Sequence, residues 1–205
     1  MYPLNETRQP KSKWWLFLLI PVVLLLVILV YKGVQRSSDL HSTILDEYAV
    51  VKDAATAKCG DTTQLVMVVA DFVNKPLLNA YFFTSGTCGT TGQILTVIYN
   101  IETKTTDSPA KLNDRGNVLL RPIPPVDWVV SYQESLNSAL LNGGQKFIDS
   151  NPGVLPLRAV LTNKENEGSI WNVIIGKPNS YPRMVVIVDP KNAKVISSKQ
   201  IDSGQ

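Results

Sequence analysis

Residues 131–153 read SYQESLNSALLNGGQKFIDSNPG. Ser131 and Glu134 stand three apart, the spacing of a capping box: the hydroxyl takes the backbone proton of Glu134, whose side chain reaches back. Leu136, Leu140, Gly143 and Phe147 then share one face of a helix. Gly143 and Gly144 together cost roughly 2 kcal/mol against alanine in a helix interior. Two readings follow. The helix continues and the glycines let it approach a sheet, or it breaks at Asn142-Gly143. Asp149-Ser150-Asn151-Pro152-Gly153 ends it in either case.

Downstream, residues 156–162, 170–176, 183–189 and 194–198 carry the apolar and β-branched density of strands. Asn166-Glu167-Gly168 marks the first turn, Pro178 and Pro182 the second, and Asp189-Pro190-Lys191-Asn192 a tight hairpin. Met184–Val188 is apolar throughout, as in a central strand covered on both sides. Residues 200–205 read as a tail.

Upstream, residues 118–130 are apolar but crossed by Pro122, Pro124 and Pro125, so they predict an extended connection between two units. Before them, residues 37–58 place Leu40, Ile44, Tyr48, Val51 and Ala55 on one helical face, ending near Gly60. Strands are expected at 65–72, 77–84 and 93–103, and a loop at 104–117. Each unit (37–117 and 131–199) is thus a helix followed by antiparallel strands, offset by roughly 90 residues. The fold class is α+β, helix on antiparallel sheet, and one reading has two such units.

Residues 14–31, WWLFLLIPVVLLLVILVY, are uncharged. As a helix they would extend roughly 27 Å, close to the hydrocarbon thickness of a bilayer. No small-residue cleavage site follows, so a single retained membrane span is expected, with aromatic rings at both ends. Arg8, Lys11 and Lys13 precede it, and Lys32 and Arg36 follow. That bias places the tail, 1–13, in the cytoplasm and the C-terminal domain outside it.

Those five flanking cations account for the basic balance of the whole chain. Of 20 Lys and Arg and 17 Asp and Glu, 15 and 16 fall from Ser37 onward, a net charge of −1. Without a basic stripe, nucleic-acid binding has no electrostatic support. Two cysteines, Cys59 and Cys88, lie beyond the span, and outside the cytoplasm an even count fits one disulfide. Such a crosslink contributes about 3–4 kcal/mol. Two buried thiols are the alternative.

Three stretches resemble the PepSY family: Phe147–Pro152 at the helix end, Ile170–Ile175, and Val185–Ile196 with its Asp189-Pro190-Lys191-Asn192-Ala193-Lys194-Val195 hairpin. Ala193 stands where that family usually has glycine. The resemblance covers residues 131–199. It implies a cystatin-like module, helix on curved antiparallel sheet, with an extracytoplasmic, non-enzymatic role such as peptidase regulation. It implies no catalytic residues.

The residues themselves agree. His41 is the sole histidine, and no G-x-S-x-G, H-E-x-x-H, P-loop or G-x-G-x-x-G occurs. No catalytic, metal or cofactor site is expected. Asp189 suits a turn better than an acid. Trp128, Trp171 and Tyr181 are the candidate partner surface, with core packing the ordinary alternative for each tryptophan. The expected function is a membrane-anchored extracytoplasmic binding or regulatory module for a protein or peptide. The alternative is a structural accessory of an envelope complex.

Overall fold

The computed structural model describes residues 44–74, 77–84, 93–113 and 121–202. The expected tail and membrane span, His41 and Cys88 lie outside them. Among the described residues no helix is long and apolar enough to cross a membrane.

Helix α1 spans Ile44–Cys59 and ends at Gly60, whose φ of 79° and 2.7 Å bond to the Thr56 carbonyl close the last turn. Strands β1 (Leu65–Asp71), β2 (Leu78–Thr84) and β3 (Gln93–Asn100) follow. Their alternation is regular: Asn79, Tyr81 and Phe83 are buried, as are Leu95, Val97 and Tyr99. The residues between are half-buried on the other face, apart from Thr96, which is buried too.

The segment read as a loop, 104–117, contains two short strands instead, β4 (Thr105–Thr106) and β5 (Ala110–Asn113), both paired with β3. Neither is long enough to show an alternating pattern, so partner geometry alone defines them. In the proline-rich segment the Ile123 amide bonds the Leu65 carbonyl at 2.8 Å, and a 3-10 turn covers Pro125–Asp127.

Helix α2 spans Tyr132–Ala139 and has both halves of the Ser131–Glu134 capping box. Beyond it the glycines settle the open question. Leu140–Gly144 is a kinked segment, and α3 (Gln145–Ser150) follows it as a second helix. The helix therefore breaks at Asn142-Gly143: Asn142 (φ −100°, ψ 40°) and Gly143 (φ 108°, ψ −16°) are not helical, and two helices meet across the kink. Gly143 has φ 108°, outside the range of L side chains, and the Asn142 amide caps the Ser138 carbonyl at 2.8 Å. At Gly144, an added Cβ would meet Ile175 Cδ1 at 2.6 Å and the Ala139 carbonyl oxygen at 2.7 Å. The close approach to the sheet and the break are one feature.

Strands β6 (Leu155–Lys164), β7 (Gly168–Lys177), β8 (Ser180–Val188) and β9 (Val195–Ile201) complete the chain. β9 takes in residues expected to be tail, because Lys199 and Ile201 pair with Val185 and Arg183. The strand order is β4-β3-β2-β1-β6-β7-β8-β9, with β5 also on β3, and every pairing is antiparallel. β8 is thus next to an edge and not central; only Val186 and Val188 of its apolar run are fully buried.

The two units share one continuous sheet, joined where β1 pairs β6. Their internal registers correspond: Val68 opposes Tyr81 and Ala159 opposes Val173, then Tyr81 opposes Val97 and Val173 opposes Val186. α1 packs over β3, and α2 over β6 to β8. A single core lies between helices and sheet, including Val51, Ala55, Leu136 and Phe147 above and Val68, Tyr81, Leu161 and Val173 below.

Candidate functional site

Of the three aromatics expected at a partner surface, two are core. Trp171 is 0% exposed and its indole nitrogen donates to the Val130 carbonyl at 3.1 Å, tying the connection to β7. Trp128 is 1% exposed and meets the Tyr48 ring edge-on, centroids 4.5 Å apart. Core packing is the role of both. Tyr181 remains at the surface, 46% exposed in the β7–β8 hairpin. Cys59 is buried at the end of α1 and is not a free thiol.

Tyr181 leads to a cavity of about 440 Å³ at one end of the sheet. Its lining includes Arg158 of β6, Ile174 of β7, Arg183 of β8, Asn74 of the β1–β2 turn, and Pro178 and Asn179 of the β7–β8 hairpin. Two ladder irregularities flank it, one between Pro156 and Arg158 and one between Gly176 and Lys177. Bulges of this kind bend a strand and redirect a side chain.

Arg183 is held in place. An added Cβ on Gly176 would sit 2.8 Å from Arg183 Cγ, so the arginine stem requires glycine beneath it. Its Nε donates to the Ser180 carbonyl at 3.1 Å, and its guanidinium lies 5.5 Å from the Tyr181 ring centroid. Asn179 has φ 57°, a left-handed value that asparagine tolerates in a tight turn.

Arg158 stands opposite Asp71 in register. Asp71 already accepts hydrogen bonds from the Val73 amide at 2.8 Å, the Asn74 amide at 3.2 Å and the Asn74 side chain at 2.8 Å. Burial pushes its carboxyl up, but those bonds and the Arg158 charge prevail and hold it below its ordinary value. Asp71 is therefore a turn former. The cavity lining carries two cations against this one anion, with Leu157, Ile174 and Pro178 as apolar surface.

A second polar group is sealed inside the core. Glu47 is 0% exposed and accepts from the Asn79 side chain at 2.7 Å and from the Tyr81 hydroxyl. The Tyr132 hydroxyl shares this network. Burial, then the Glu47 charge, raise Tyr81 well above the ordinary phenol value and Tyr132 to about 12. Sequence reasoning does not single out Glu47. The available signal is its spacing, four residues before Val51 and eight before Ala55, inside the apolar stripe.

No family model and no curated protein matches the sequence. The fold, however, is similar to a crystal structure from Clostridium difficile 630 described as a "putative lipoprotein". The TM-score is 0.52 and the identity 12%, over 78% of this chain and 93% of that one. What the two share is the fold.

The hairpin that carries the PepSY resemblance has a definite geometry. Asp189 accepts from the Lys191 amide at 2.8 Å and the Asn192 side chain at 2.9 Å, and its carbonyl accepts from the Ala193 amide at 3.0 Å. Ala193 has φ 59°. It occupies a left-handed position, which glycine would fill without strain.

Proposed function

We propose that this chain is a membrane-anchored extracytoplasmic module, PepSY-like in its second half, that binds or regulates a protein partner by receiving an extended segment along β9. The observation carrying the reading is β9 itself. It ends the strand order, and its residues from Ile196 to Gln200 are exposed. Among the described residues its outer edge has no neighbour, so its main-chain donors and acceptors are open to strand addition. Lys199 on the same strand guards the edge against its own kind. The apolar stretch 14–31 and the flanking charges support the anchor and the orientation, and the likeness to a protein described as a lipoprotein accords with a tethered domain. A Cys59–Cys88 disulfide belongs to the same reading.

The test has two arms in intact cells. A membrane-impermeant thiol reagent should label the cysteines only after reduction. Labelling without reduction, and only after lysis, would place the domain in the cytoplasm and sink the proposal. A photo-crosslinker at Ser198 on β9 should join the chain to a discrete extracytoplasmic protein, whereas one at Lys146 on α3 should not. Equal products at both sites would remove the edge from the argument.

A further inference from the structure

We propose that the cavity between Arg158 and Arg183 is a binding site for a carboxylate- or phosphate-bearing group whose apolar portion rests on Ile174 and Pro178. The proposal is independent of strand addition at β9.

Both arginines of the cavity hold unused donors. Arg183 spends its Nε on the Ser180 carbonyl, and no hydrogen bond or ion pair engages its two terminal nitrogens among the described residues. The Arg158 side chain makes no hydrogen bond or ion pair among them; its charge acts on Asp71, its register partner, only at a distance. Asp71 is instead occupied by its own turn. Guanidinium groups pair with planar or tetrahedral oxyanions through parallel N–H donors, and two such groups on one cavity make a clamp.

The clamp is also supported. Gly176 leaves room for the Arg183 stem and the Tyr181 face positions its charge. A bulge precedes Arg158 on β6. Side chains placed by a sheet, a stacked ring and a required glycine lose little freedom on binding. At about 440 Å³ the cavity holds a small acid or one headgroup, and its Leu157, Ile174 and Pro178 surface suits a ligand that is anionic at one end only.

Two sources can supply such a group, a soluble anion or an anionic lipid headgroup. The experiment uses the full chain in zwitterionic nanodiscs. Succinate and inorganic phosphate are titrated by heteronuclear NMR, and nanodiscs containing phosphatidylglycerol form a separate arm. Arg158→Gln, Arg183→Gln and a control, Arg121→Gln, are compared. Arg121 pairs with Glu165 away from the cavity.

The expected result is saturable binding with amide shifts at Ile174 and Asn179, weakened by salt and by about tenfold or more in each cavity variant but not in the control. Gly176→Ala, which displaces the Arg183 stem without removing charge, should weaken binding as well. Shifts with the free anions identify a soluble ligand. Shifts only with phosphatidylglycerol identify a headgroup. No saturable shifts with any probe, or shifts unchanged in the Arg158→Gln/Arg183→Gln double variant, would overturn the proposal.

Discussion

Asn79 on β2 donates its side-chain amide to the Glu47 carboxylate on α1 at 2.7 Å, and neither residue has any exposure to solvent. The Tyr81 hydroxyl donates to the same carboxylate oxygen. A buried carboxylate is tolerated only with such donors, so the network locks α1 onto the sheet in one register. Removing one partner leaves the others unsatisfied. Glu47→Gln should therefore lower stability by roughly 2–4 kcal/mol. Replacing the group together (Glu47→Leu, Asn79→Leu, Tyr81→Phe, Tyr132→Phe) should cost less than the single change. Urea midpoints of the three proteins check this; a single variant within experimental error of the parent would show that the network contributes nothing.

The same network sets behaviour in alkali. Burial, and after it the Glu47 charge, raise the Tyr132 phenol from 10.0 to about 12, and Tyr81 moves the same way. The folded value lies above the unfolded one. The contribution of the neutral phenol is fully present below pH 10 and is lost as pH rises through 12. For Tyr132 it amounts to about 2–3 kcal/mol. Denaturation midpoints should fall across that window, and Tyr132→Phe should flatten the fall.

Gly144 and Gly143 separate by mechanism. Gly144→Ala places a methyl against the Ala139 carbonyl oxygen and Ile175, and overpacking of this kind costs about 1–3 kcal/mol. Gly143→Ala meets nothing closer than Met184 Cε at 3.6 Å but must adopt φ 108°. Its cost is conformational, about 1–2 kcal/mol. Introducing leucine at 175 in place of isoleucine should change the first penalty and leave the second alone. Equal shifts in both backgrounds would refute the distinction.

Ala193 at φ 59° carries a left-handed penalty that glycine lacks. Glycine also gains freedom in the unfolded chain, which offsets part of the benefit. Ala193→Gly should still stabilise, by about 0.5 kcal/mol, and Ala193→Val should destabilise. Thermal unfolding of the two variants gives the sign directly. A less stable glycine variant would mean that the turn holds alanine without strain.

Local features were legible in the chain. The Ser131–Glu134 box, the Gly60 helix end, the Asp189 turn and the alternation of β2 each depend on residues a few positions apart. Features that depend on distant partners were not. Glu47 lies inside an apolar stripe, and only Asn79 and Tyr81, more than thirty residues away, explain why a carboxylate can stand there. β5 is four residues long and exists because β3 offers it an edge. The tryptophans illustrate the same limit: an indole packs or binds equally well by composition, and burial alone assigned Trp128 and Trp171 to the core.

The sequence by itself determined the α+β grammar, the repeated helix-then-strands order, the near-neutral C-terminal region and the uncharged stretch at 14–31. Those are properties of periodicity and charge, written in neighbouring residues. Only the tertiary structure decided that all the strands share one sheet, that the chain breaks into two helices at Asn142-Gly143, and that Arg158 and Arg183 line one cavity. β6 and β8 each flank β7, and that antiparallel pairing brings together arginines far apart in the chain. Pairing and burial are long-range equilibria between segments, and no local spacing records them.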